Sequence, residues 1–418
     1  MNRITLPALI LTLAASLAPA EDWPQWRGPN RDGRSTETGI NTDWEKNPPK
    51  LLWRSEGCGR GFSSVSIADD TLYTSGNFES GQGVSAFSTK TGKLLWQTAV
   101  TDKIPKHGYG GARSVPTIDG DKLYLTTSNG LIACLSTKGK VLWTKDFKKE
   151  WDGKMMSGWG FSESPLIDGD RVVCTPGGND AFIVSLDKRT GATKWKTKLG
   201  DVGKKGKDGA GYGSLVISNA GGVKQYVQMA GRGLISVRAK DGRFLWNYDK
   251  VANTTANIPT PIAMGDYIFG STGYGTGSAL LKITAKGSGA TAEEVYFLKP
   301  KTLQNHHGGM ILIDGHIYCG HKHNGGDPIC LEVETGEVKW GPEKGVGHGS
   351  ACVTYVDGHL IYRYQSGHVA LVKATPDGYE LKGSFMPVHQ EAESWSHPVV
   401  LDGKLYLREQ DHLMCYEL

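Results

Sequence analysis

Tryptophan recurs in this chain at the end of one short phrase. Lys-Thr-Gly-Lys-Leu-Leu-Trp closes at Trp96, Lys-Gly-Lys-Val-Leu-Trp at Trp143, Arg-Thr-Gly-Ala-Thr-Lys-Trp at Trp195, Lys-Asp-Gly-Arg-Phe-Leu-Trp at Trp246 and Glu-Thr-Gly-Glu-Val-Lys-Trp at Trp340. From Trp53 the first four steps are 43, 47, 52 and 51 residues. Self-similarity at that period marks a radial array of small sheets, each unable to bury its faces alone.

Each repeat divides into two halves. The first is an apolar strand, an Asp-Gly turn and a second strand, as in Val115 to Tyr124. Asp-Gly between alternating apolar runs is a hairpin signal, because glycine takes the positive φ that a tight turn needs. The second half is a strand, a Thr-Gly-type turn and a strand ending in tryptophan. A terminal indole is large enough to bridge one sheet to the next, burying on the order of 150–250 Å².

First-half hairpins centre on Asp69-Asp70, Asp119-Gly120, Asp168-Gly169, Asn219 to Gly222, Gly265-Asp266, Asp314-Gly315, Asp357-Gly358 and Asp402-Gly403. Aromatic-ended strands close at Trp53, Trp96, Trp143, Trp195, Trp246, Phe297, Trp340 and Phe385. Both sets number eight, but Trp53 precedes the first hairpin and the last hairpin has no aromatic-ended strand after it. The expectation is an all-β, eight-bladed propeller of four-stranded antiparallel blades spanning residues 50–418. Leu51 to Arg54 would pair with Leu413 to Tyr416, so the N- and C-terminal strands seal the ring and leave no long exposed edge.

Residues 1–20 read as a secretory signal peptide: Arg3, an apolar stretch from Ile4 to Leu17, and Ala18-Pro19-Ala20 as the cleavage site. A periplasmic or secreted location follows, with no membrane span in the mature chain and a monomer as the simplest state. Residues 21–49 carry Trp23, Trp26 and Trp44 among Pro, Gly and Asn, and read as an irregular arm packing its rings onto the propeller surface. Seven cysteines make an odd count. Cys134, Cys330 and Cys415 fall where other repeats carry Ala86 or Ser185, and Cys174 and Cys319 match a strand leucine, so most are expected as small buried hydrophobes. A net charge of +4 is too small to make nucleic acid or an anionic membrane the partner.

A propeller binds through the funnel at one end of its axis, lined by the loops that lead into each innermost strand. Just ahead of those strands stand Arg60 and Phe62, Tyr109 and Arg113, and Trp159, Phe161 and Glu163. Tyr212, Asn257, His306 with His307, His348, and Trp395 with His397 complete the ring. Cys319, His321 and His323 alternate and could share a strand face as soft metal ligands, though their spacing fits no closed zinc motif.

Ala86-Phe87-Ser88-Thr89-Lys90-Thr91-Gly92-Lys93-Leu94-Leu95-Trp96 resembles the Ala-x-Asp-x-x-Thr-Gly-Lys-x-x-Trp docking motif of pyrroloquinoline-quinone (PQQ) repeat propellers. Ser88 replaces the Asp here, and Asp187 supplies it in the third repeat. The opening Asp22 to Pro29 is similar to that of exported bacterial PQQ-binding-like propellers. The superfamily so resembled includes quinoprotein alcohol dehydrogenases and the non-catalytic outer-membrane assembly protein BamB. For the dehydrogenases the resemblance implies calcium and PQQ in the funnel, with Glu163 and Asn257 matching in kind and order. Asn305-His306-His307 stands where a catalytic Asp would be wanted, and no two cysteines are adjacent. The expected function is therefore binding of a protein or glycan partner through the funnel, without catalysis. The alternative is a PQQ- and calcium-dependent alcohol or sugar dehydrogenase.

Overall fold

Short apolar strands and tight turns assemble into eight four-stranded antiparallel sheets. The computed structural model describes residues 22–418, so the expected leader lies outside the described residues. Seven blades are continuous in sequence, at 66–101, 117–146, 166–196, 216–248, 262–298, 311–340 and 351–385. The eighth joins three C-terminal strands within 399–417 to the first strand, Lys50–Glu56. Leu51 faces Tyr416, Trp53 faces Cys415 and Arg54 faces Met414, which is the closure expected from the phase offset. Among the described residues the one α-helix is Phe147–Trp151, and no helix is long and apolar enough to cross a membrane.

The tryptophan phrase works as a dock between blades. Trp96 lies opposite Ala86, Trp143 opposite Cys134, Trp195 opposite Ser185 and Trp340 opposite Cys330. A small residue there leaves room for the indole to lean onto the next blade. The Nε1–H of Trp53 donates to Thr89 O at 3.0 Å, that of Trp96 to Thr137 O at 3.1 Å and that of Trp340 to Thr375 O at 2.7 Å. Each acceptor sits at the following blade's turn. All seven cysteines are free and buried.

In the fifth blade the docking residue differs from the expected one. Phe297 pairs with Ala279 and packs back towards the fourth blade. The residue before it, Tyr296, reaches forward, and its hydroxyl donates to Val333 O at 2.6 Å. Successive strand side chains point to opposite faces, so the neighbour of the motif position takes over the forward contact.

The N-terminal segment does more than anchor. Trp44 packs against Phe385 with ring centroids 5.6 Å apart, as an anchoring arm would. Residues 23–35, however, bond to blades all round the ring. Trp23 exchanges backbone hydrogen bonds with Ile67, and Ile118 N donates to Pro24 O. Arg31 donates to Ser164 O and Pro165 O ahead of the third blade, and Trp26 to Thr260 Oγ1 ahead of the fifth. Arg27 donates to Met310 O, Ser35 N to Tyr355 O, and Ser35 Oγ to Val400 O. A short segment that reaches blades one, two, three, five, six, seven and eight must cross the axis. It forms a plug.

Candidate functional site

The plug divides the axial channel. On one side is a cavity of ≈ 370 Å³, and on the other a cavity of ≈ 320 Å³; Arg27 lines both. The larger one is the funnel expected from sequence, converted from a tube into a blind cup. Its wall comes from the loops leading into the innermost strands, and Trp26 and Arg27 of the plug form its floor.

Nine of the expected funnel residues meet in this cup: Phe62, Tyr109, Arg113, Trp159, Tyr212, His306, His307, Trp395 and His397. Trp395 is the hub of an aromatic belt. Its ring centroid lies 4.8 Å from Phe62, 4.9 Å from Tyr109 and 4.4 Å from His307, and its Nε1–H donates to Gln365 Oε1 at 3.0 Å. Arg113 lies over the Phe62 ring, and its guanidinium donates to the carbonyls of Trp159 and Tyr109. Tyr212 is fixed by a 2.7 Å hydrogen bond between its hydroxyl and Ser157 Oγ.

Five expected residues are elsewhere. Arg60 is exposed and uses its backbone to bridge Asn77. His348 is exposed, and its backbone bonds Ser366. Glu163 turns into the wall between blades three and four, accepting from Thr175 N at 2.6 Å, Thr175 Oγ1 at 3.0 Å and Gln228 Nε2 at 3.1 Å. Asn257 donates to Ala230 O and Gly231 O and accepts from Asn253 N. Both side chains are occupied in holding the wall together. Phe161 is likewise core, edge-on to Phe147.

The sequence reading missed Trp26, Arg27, Tyr274 and His323, all of which line the cup. Tyr274 and His323 belong to hairpin loops between second and third strands, outside the set of loops considered. The Cys319–His321–His323 alternation does not make a ligand face. The strand ends at His321, and Lys322 and Asn324 take positive φ, which throws His323 into the cup while Cys319 stays in the core.

The cup is largely apolar, cationic and free of carboxylates: no Asp or Glu lines it. Burial pulls the Arg27 and Arg113 guanidinium groups down to about 10, still fully charged at neutral pH. Burial, reinforced by Arg113, lowers His307 to about 3; burial, reinforced by Arg27, lowers His397 to about 3. Burial and the neighbouring His307 and His323 lower His306 to about 2. All three are neutral imidazoles under physiological conditions. His306 is saturated by Ser350 Oγ at 2.7 Å and Tyr274 OH at 2.9 Å. His307 Nδ1 and His397 Nδ1 are buried without a hydrogen-bond partner. Unmet polar atoms of this kind are costly unless a ligand or water satisfies them.

Comparison with known proteins agrees with this architecture. The BamB crystal structure from Moraxella catarrhalis superposes with a TM-score of 0.61 at 14% identity, covering 88% of this chain and 98% of that one. A europium-containing methanol dehydrogenase gives 0.64 at 13% identity over 93% and 89% of the two chains. The quinohemoprotein alcohol dehydrogenase of Comamonas testosteroni gives 0.63 at 12% identity over 96% and 81%. At these identities the likeness is one of fold. No curated protein matches the sequence. The family described as outer membrane protein assembly factor BamB matches residues 80–341, more than half of the chain. By that match and by its eight blades, six of them closed by a docking tryptophan, the chain belongs to this family of PQQ-like propellers.

Proposed function

We propose that this is an exported binding propeller whose plugged cup takes an acidic sugar, a pyranose ring carrying a carboxylate, presented free or at the end of a glycan. The observation that carries the reading is the composition of the cup. Two desolvated guanidinium groups, Arg27 and Arg113, face a cavity that no carboxylate lines; Asp32, the carboxylate that acts on Arg27, lines the second cavity instead. A desolvated cation without a counter-ion favours an anionic ligand. The rings of Trp395, Phe62, Tyr109 and Trp159 offer flat apolar faces for a sugar, and His307 Nδ1 and His397 Nδ1 await polar partners. The volume suits a small ligand, falling in the lower part of the roughly 300–1,000 Å³ range of such sites. Export rests on the sequence of residues 1–20, and a periplasmic setting accords with the family's outer-membrane description.

The calcium and PQQ that the resemblance to quinoprotein dehydrogenases implies fit these residues poorly. Calcium needs several oxygen ligands, carboxylates foremost. Glu163 and Asn257, the residues matched in kind and order, are turned into the wall and engaged there. His306-His307 offers neutral imidazole where a carboxylate base would be required.

The test is the thermal midpoint of the mature chain with uronate mono- and oligosaccharides, with their neutral counterparts, and with PQQ with and without calcium. A saturable rise with uronates that is weakened at least tenfold in Trp395→Ala and Arg113→Gln is the expected result. A rise with PQQ that depends on calcium, and none with uronates, would replace this reading with the dehydrogenase one. Equal response to neutral and acidic sugars would remove the charge argument.

A further inference from the structure

A second cluster of ligand-bearing side chains lies away from the cup, at the seam where the ring closes. His412 begins the last strand and Glu56 ends the first, and the two face each other in the closing register. The loop from the seventh blade to the eighth brings His389 and Glu391 against them. The imidazole centroids of His389 and His412 are 3.7 Å apart. His389 Nε2 lies 3.4 Å from Glu391 Oε2, and one ligand atom each from His389, Glu391 and His412 lies within 4.8 Å of the others.

Hydrogen bonding does not account for His412. His412 Nδ1 is buried and has no hydrogen-bond partner; Glu56 Oε1 stands 3.6 Å away, too far for one. Two imidazole rings, one of them with a nitrogen that no hydrogen bond engages, thus stand together against the Glu391 carboxylate. The loop is also held in place on both sides of the ligands. Val388 N donates to Tyr416 OH at 2.9 Å, and Ala392 N to Glu409 Oε1 at 3.0 Å. Arg54, 3.5 Å from Glu56, and Asp411, whose carboxylate accepts from Gly57 N and Gly59 N, are the other charges nearby.

We propose that His389, Glu391 and His412 form a binding site for a divalent transition metal of the zinc class, with Glu56 in reach as a fourth ligand. Two imidazole nitrogens and a carboxylate suit zinc; calcium and magnesium prefer oxygen alone. Ligand atoms around tetrahedral zinc are about 3.4 Å apart, given bonds of about 2.0–2.1 Å. The His389–Glu391 separation already meets that value, and the widest needs a contraction of about 1.4 Å. That is within the reach of a loop and an exposed carboxylate. The metal ties the interblade loop to the C-terminal strand and, through Glu56, to the N-terminal strand. It is a clasp on the closure of the ring.

The experiment uses the full mature chain, stripped with a chelator and titrated with zinc chloride by calorimetry and by thermal melting. One equivalent is expected to bind, raising the midpoint by about 2 °C or more at a hundredfold excess over Kd. His412→Ala and His389→Ala should each weaken binding at least tenfold. His389 is in a loop, so its replacement keeps the test valid if the strand variant folds badly. His323→Ala, in the cup, should bind zinc as the unaltered chain does. Undiminished binding in His389→Ala, loss of binding in His323→Ala, or no saturable uptake by the unaltered chain would each overturn the assignment.

Discussion

A carboxyl group sealed behind a channel wall is costly to ionise, and Glu163, 3% exposed, is such a group. Burial pushes it from 4.5 up to about 7, against the opposing pull of hydrogen bonds from Thr175 and the charge of Arg31. The folded chain therefore keeps the proton over a range where the unfolded chain has lost it. Its contribution to stability is complete below about pH 4.5 and disappears as pH rises through 7. Glu163→Gln removes this dependence, so the variant should gain on the unaltered chain between pH 5 and 8, by about 3 kcal/mol in urea unfolding. A constant difference across that range would show that Glu163 is ionised throughout. The same residue shows what sequence can and cannot tell. The loop that carries it was legible as funnel-lining, and Ser162 and Ser164 do line the cup. Glu163 between them points the other way, as Asn257 does between Ala256 and Ile258. The phase of that alternation is set by the strand that follows, and a single sequence does not reveal it.

At the scale of the blade, the docking phrase explains its own glycine. Trp195 lies on the turn of the next blade so closely that a methyl group added at Gly242 would sit 2.3 Å from the indole. Gly358, in an Asp-Gly turn, has nearly the same φ, +72° against +73°, and open space around it. Alanine at either position carries the same backbone strain, about 1 kcal/mol. Only Gly242→Ala adds an overlap with Trp195, for a further ~1–3 kcal/mol. Denaturant unfolding of the two variants should separate them by that amount, and equal losses would mean the indole can slide off the turn. Elements of this kind were legible because turn chemistry and a large aromatic recur at a fixed offset. The blade count and the pairing of the first strand with the last follow from counting alone, while the bulge that sets Trp53 against Cys415 does not. Tyr296 escaped because its blade puts two aromatics side by side, and only the sheet face decides which one docks.

Over the whole molecule, the segment 23–35 does what no repeat can, since it belongs to no blade. It has no period to betray it, and its partners are scattered from Ile67 to Val400. A composition of Trp, Pro, Gly and Arg was readable as an arm, but not as a plug across the axis. Its position makes the two cavities distinct and puts Arg27 and Trp26, the latter 4.5 Å from the ring of His397, at the floor of the cup. Rigid blades supply the wall, while a separate strip of chain supplies the floor and half of the buried positive charge. The two contributions can therefore be taken apart. A mature chain begun after Gly33 keeps every strand of the eight sheets, so its far-ultraviolet circular dichroism should retain the β signature. It loses the hydrogen bonds of Arg27, Arg31 and Trp26 to the ring, and its thermal midpoint should fall by several degrees. The channel then opens from one end to the other, and water reaches His397 and Arg113 from below. An anionic ligand held between floor and wall should lose at least tenfold in affinity, with neutral sugars little changed. If uronate binding survives the truncation at full strength, Arg113 and the aromatic belt hold the ligand unaided, and the plug serves stability alone.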